Sequence, residues 1–156
     1  MSKSIYIYGF HSIESQLNSN PEYILKLFIQ SGRNDARMSK MTSLLNNLKI
    51  NFLKIDKNEL DRLAKRELHQ GIIAEVLLPS LPGQEALIDF ITNLPSNPLI
   101  LILDSIQDPR NLGACLRCAN AAGVDCVVVN KDGSAPINAV VHKTSAGAIN
   151  QLKIFQ

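Results

Sequence analysis

Residues 99–129 constrain the fold of this chain more than any other stretch. Leu99–Asp104 is a continuous apolar run closed by a carboxylate. A run of that kind fits a parallel strand covered on both faces. Ser105–Arg110 reads as a loop, Asn111–Ala122 as a helix stopped by Gly123, and Cys126–Val129 as the next strand. Leu112, Cys115, Leu116 and Ala119 fall at i, i+3, i+4 and i+7, which defines one buried stripe. The result is a compact βαβ unit with a right-handed crossover. Ligands collect at the carboxyl ends of such strands, here beside Asp104–Asn111 and Asn130–Ser134. The small residues Gly113, Ala114, Ala119, Ala121 and Ala122 are expected to let the helix approach its sheet closely.

Upstream, Pro79-Ser80-Leu81-Pro82-Gly83 punctuates the chain. It separates a first domain over residues 1–78 from a linker over 79–97, which holds a short helix at Gln84–Leu94, and from a final segment over 98–156. The first domain alternates strand and helix signals. Strands are expected at Ser4–Tyr8, Tyr23–Ile29, Asn51–Ile55 and Gly71–Leu77. Helices are expected at His11–Leu17, at Asp35–Leu48 with Met38, Met41, Leu45 and Leu48 on one stripe, and at Lys57–Lys65. Asp56 and Glu59 suggest a capping box for the last of these. The order βαβαβαβ argues for an α/β sandwich.

Composition removes several classes. The chain is 46% hydrophobic and 19% charged, which argues against wholesale disorder. Leu99–Leu103 is the longest apolar run and is far short of a membrane span. Met1 to Tyr6 hold no long apolar region, so no signal peptide is read. Three cysteines give no even disulfide framework, and a reducing, cytoplasmic setting fits best. The first 78 residues carry 11 Lys+Arg against 8 Asp+Glu, and the rest 5 against 6. That mild basic excess could steer toward phosphate, but on charge alone a solvated surface is the favoured reading. Cys115 and Cys118 match C-x-x-C without a second pair, so they read as packing residues and no metal is expected. His11, His69 and His142 are far apart and read as structural. No G-x-G-x-x-G and no Walker A loop occurs.

Asn111 stands at the expected helix start. Its amide can cap the helix or face a ligand, and spacing favours the cap. Arg117 lies off the buried stripe, on the side of Gly113 and Asn120. There it can grip a phosphate in bidentate fashion or simply be solvated.

The run Leu101-Ile102-Leu103-Asp104-Ser105-Ile106-Gln107-Asp108-Pro109-Arg110-Asn111-Leu112-Gly113-Ala114-Cys115-Leu116-Arg117 resembles the first motif of the SpoU RNA ribose 2′-O-methyltransferases. Cys118–Val124, Asn130–Ala135 and Lys143–Ala148 continue the resemblance. Ile7–Glu14 and His69–Ala74 resemble the substrate-binding domain that precedes the catalytic domain in that family, and the branch most similar is the one that methylates guanosine ribose in 23S rRNA. The resemblance implies an L30e-like RNA-holding domain followed by the N-terminal part of an α/β-knot (SPOUT) domain. It implies S-adenosylmethionine as cofactor, RNA as partner with rRNA favoured over tRNA, a homodimer for the full-length family, and Asn111 and Arg117 as catalytic residues. The family assigns Arg117 to activation of the ribose hydroxyl. An arginine is a poor base because it stays protonated. A grip on the neighbouring phosphate, with stabilisation of the developing alkoxide, is the chemistry it suits. Asn111 would then orient Arg117 or the ribose.

The family's second and third motifs, with the glycine-rich loop, the knot and most cofactor contacts, lie C-terminal to the matched residues. Cofactor-binding residues are therefore expected beyond Gln156, and these 156 residues alone are expected neither to bind S-adenosylmethionine well nor to methylate. The other reading is a non-catalytic module that binds RNA or pairs with another chain. An unrelated small nucleotide-binding protein ranks last, for want of phosphate loops. Residues 151–155 read as an open apolar strand, prone to self-association.

Overall fold

The computed structural model describes residues 3–156, which divide after Leu78 into two compact units. The first unit runs β1 (Lys3–Tyr8), α1 (Phe10–Ser19), β2 (Ile24–Gln30), α2 (Ala36–Asn47), β3 (Leu53–Ile55), α3 (Lys57–Leu63) and β4 (Ile72–Leu78). Its sheet has the order β1-β4-β2-β3. Strand β4 is antiparallel to both β1 and β2, and only β2 and β3 run parallel. Alternate residues of β1, β2 and β4 (Ile7, Leu27, Ile29, Ile72, Ala74, Val76) meet Ile13 and Leu17 of α1 and Met38, Met41 and Leu45 of α2 in one core. Ile73 and Leu60, also fully buried, mark the opposite face, where α3 packs on β2 and β4.

Three expectations change here. Pro21–Tyr23 forms a 3₁₀ turn, so β2 begins at Ile24. Strand β3 keeps only three residues. Leu48 leaves the α2 stripe: it is the C-cap residue and 42% exposed. The helix starts follow from their caps. The Asp35 carboxylate accepts from the N–H groups of Arg37 and Met38, and Asp56 accepts from Glu59 N–H at 2.8 Å. The Glu59 carboxylate pairs with Arg62 at 3.7 Å.

The second unit runs α4 (Gln84–Thr92), β5 (Ile100–Leu103), α5 (Pro109–Ala121), β6 (Cys126–Val129), α6 (Ala139–Thr144) and β7 (Ile154–Phe155). The three strands are parallel in the order β5-β6-β7. Leu103, Val127, Val129 and Ile154 meet Leu112, Leu116 and Ala119 of α5 and Val141 of α6 in the second core. Phe90 of α4 meets Phe155 on the other face, with ring centroids 5.4 Å apart. Helix α4 packs beside β7, and β5 is left bare there: Ile102 is 71% exposed. The apolar run was therefore a poor guide to coverage on both faces. Nor is residue 151–155 an open apolar strand. Only Ile154 and Phe155 pair, and both side chains are buried. Among the described residues no helix is long and apolar enough to cross a membrane.

Gly113 also departs from expectation. Its close approach is to α6 and not to the sheet: a Cβ there would lie 1.9 Å from Thr144 Oγ1 and 3.1 Å from the backbone nitrogen of Ser145. Overpacking costs about 1–3 kcal/mol, and better helix propensity returns about 1 kcal/mol at an exposed site. Because the clash falls on Thr144, whose hydroxyl is held by the Val140 carbonyl, Gly113→Ala is expected to cost between about 0 and 2 kcal/mol net, read as a lower urea midpoint with an unchanged slope.

Candidate active site

The carboxyl ends of β5 and β6 open into two loops tied by one side chain. Asn130, just after β6, accepts the Ser105 N–H on Oδ1 at 2.7 Å and donates from Nδ2 to Asp104 Oδ1 at 3.2 Å. Ser105 Oγ donates to the same carboxylate at 2.9 Å, and Ser134 Oγ reaches Asn130 Oδ1 at 3.4 Å. Backbone adds Ala135 N–H to Ile106 C=O at 2.7 Å. The loop that launches α5 is thus held from both strands, with Ser105 in the left-handed region at φ 56°.

Helix α5 starts two residues before its expected start. Asp108 is the N-cap, its carboxylate accepting from Arg110 N–H at 2.8 Å, and Pro109 follows as the first helical residue. Asn111 is therefore not the cap. It sits in the first turn, exposed, and its amide has no hydrogen-bond partner among the described residues. Arg117 is exposed too and carries no ion pair or hydrogen bond among them. The two residues share the helix but not a face: six residues apart, they stand about 120° and roughly 9 Å from each other. Asn111 does not orient Arg117 by contact here.

Arg110 does share Arg117's face. It is seven residues earlier, exposed, and separated by the small residues Gly113 and Ala114. The i, i+7 spacing of the two arginines is legible in the sequence. Asn120, expected on Arg117's side of the helix, donates to Gln151 Oε1 at 2.9 Å. The cysteines divide: Cys115 is half-buried against the core, Cys118 is exposed, and Cys126 is fully buried. The packing role expected of Cys118 is thus corrected by its exposure. Burial, with Asp125 adding to it, pushes the Cys126 thiol up, away from the reactive thiolate.

The elements thus define a mixed α/β unit followed by a parallel-sheet unit whose helix after β5 presents one amide and two guanidinium groups. Residues 6–81 match the family described as RNA 2′-O ribose methyltransferase substrate binding, and residues 98–156 match the SpoU rRNA methylase family. The chain belongs to the SpoU family. It is 40% identical over 150 residues to a Haemophilus ducreyi protein named 23S rRNA (guanosine-2′-O-)-methyltransferase RlmB, covering 96% of this chain and 61% of that protein. A Pasteurella multocida protein of the same name is 42% identical, with the same coverage. The chain thus spans about three fifths of the length of these relatives. The fold is that of the SpoU methyltransferase AviRb from Streptomyces viridochromogenes, solved with AdoMet: TM-score 0.77, 19% identity, 97% of this chain and 54% of that one.

Proposed function

We propose that this chain supplies the RNA-holding unit and the hydroxyl-activating helix of an S-adenosylmethionine-dependent rRNA ribose 2′-O-methyltransferase, acting on a guanosine of 23S rRNA in the cytoplasm. The observation that carries the reading is Arg117 with Asn111, both exposed and unengaged, on the helix that follows β5 at the carboxyl end of a parallel sheet. The cofactor would supply the methyl group when bound. The residues present do not cradle it by themselves: Asp104 and Asn130 are spent on each other and on Ser105 and Ser134.

Arg117 stays charged at any working pH, so it does not take the hydroxyl proton, which passes to water. Its planar fork holds the phosphate next to the target ribose and lies against the oxygen as negative charge develops there. Arg110, on the same face, reaches the next stretch of backbone. Asn111, on the adjoining face of the first turn, holds the ribose by hydrogen bonds and not through Arg117.

The test is a chimera in which residues 1–156 replace the matching part of the Haemophilus ducreyi relative. With labelled S-adenosylmethionine it is expected to label 23S rRNA at a guanosine ribose, leaving that linkage resistant to alkali. Label on a base, or a folded chimera that binds RNA and cofactor without transfer, would overturn the reading.

A further inference from the structure

In the first unit the carboxyl ends of β1, β2 and β3 and the start of β4 lie at one end of the sheet, because β4 runs opposite to its neighbours. A cavity of about 530 Å³ opens there, lined among others by Gln30, Lys57, Arg66, Leu68 and His69. That is within the range of ~300–1,000 Å³ usual for small-ligand sites. The loop forming its wall is strained. Lys65, Arg66 and Gln70, none of them glycine, all have positive φ, at 51°, 65° and 54°. Such conformations cost of order 1 kcal/mol or more each and persist where the surroundings hold them.

The surroundings do hold them. His69 is buried; its Nδ1 accepts from Gly71 N–H at 3.0 Å, which leaves Nε2 to donate to Asp61 at 2.9 Å. Arg33 donates to the Gln70 carbonyl at 2.6 Å. Gly71 has to be glycine, since its φ is +72° and a Cβ would lie 2.8 Å from the Arg33 guanidinium.

The charges around the cavity are unequally used. Arg33 is paired with Asp35, whose carboxyl that guanidinium holds below its ordinary value, Asp61 is taken by His69, and Glu67, also in the lining, acts on Tyr8, whose pKa is raised by burial and, less, by this carboxylate. Lys57 and Arg66 are exposed and have no side-chain partner among the described residues. The Gln30 amide has none either, and Leu68 stands 68% exposed at the edge.

We propose that this cavity holds one unpaired nucleotide of the RNA, its phosphate on Lys57 and Arg66 and its base between Leu68 and the Gln30 amide. The proposal rests on the RNA-holding role given to this unit above and adds to it a preference for unpaired RNA. Single-stranded RNA is held by cations along its backbone and by groups that cover and hydrogen-bond the splayed base; here Leu68 gives apolar cover where an aromatic ring is usual. A duplex keeps its bases stacked and cannot enter.

The test is fluorescence anisotropy of the full chain with a short labelled oligoribonucleotide, alone and annealed to its complement, over a salt series. Lys57→Ala and Arg66→Ala are each expected to weaken single-strand binding about 3- to 10-fold and to reduce the salt slope by about 0.7. Arg66→Lys is expected to retain most of the affinity. Gln30→Ala should narrow the preference for the single strand, and Lys153→Ala in the other unit should change nothing. If the parent binds RNA and the Lys57 and Arg66 variants bind it equally well, or if duplex binds as tightly as single strand, this site is overturned and the RNA-holding role stands. If the parent binds neither RNA, that role fails as well.

Discussion

Arg117→Ala is expected to lower methyl transfer by the chimera about 10²- to 10³-fold, the usual loss when one preorganised donor to a developing oxyanion is removed. The residue is exposed and makes no contact that the fold depends on, so the variant should melt with the parent. Arg117→Lys separates charge from shape. A lysine keeps the positive charge but loses the planar fork, so bidentate gripping predicts that most of the activity is lost in this variant too. Full activity of Arg117→Lys would leave a point charge as the whole contribution. The effect should fall mainly on kcat, because the contact strengthens as charge builds on the oxygen. Arg110→Ala, by contrast, should raise KM with little change in kcat, as expected for a residue that holds backbone away from the reacting atom.

The element order and the helix that carries Asn111 and Arg117 were readable in the sequence, which misled wherever a neighbour arrives from far along the chain. Asp108-Pro109 is a cap followed by a first-turn proline, and that pair outranks Asn111 as a start signal. The rule was available and would have moved the helix start back by two residues. The contact of Gly113 was not readable, because Thr144 lies thirty-one residues later and nothing local brings α6 to α5. Coverage of β5 was not readable either. An apolar run reports what could be buried, and whether α4 reaches that far is set by tertiary packing beside β7. The cavity in the first unit belongs to the same class: Gln30 meets Lys57 and Arg66 because β3 pairs parallel to β2, setting Ile55 beside Gln30 and launching α3 from the same end of the sheet.

Lowering the pH is expected to destabilise the second unit through His142. This residue lies on α6, 4% exposed, and burial pushes its pKa down to about 4. The unfolded chain keeps the ordinary value of about 6.5. Below that pH the unfolded state takes up a proton that the folded state refuses. Stability is therefore full above about 6.5, falls as the pH drops toward 4, and stops falling from this cause below it. The gap corresponds to about 3 kcal/mol, a large part of the stability of a unit this size. The probes separate the units. All three tyrosines, Tyr6, Tyr8 and Tyr23, lie in the first unit and the chain has no tryptophan, so tyrosine fluorescence follows that unit while circular dichroism follows both. Between pH 7 and pH 5, urea melts should lose stability in the dichroism transition that tyrosine fluorescence does not report. His142→Leu should lose much less over the same range. An equal loss in parent and variant would overturn the assignment, as would an imidazole of His142 that titrates near its ordinary value by NMR.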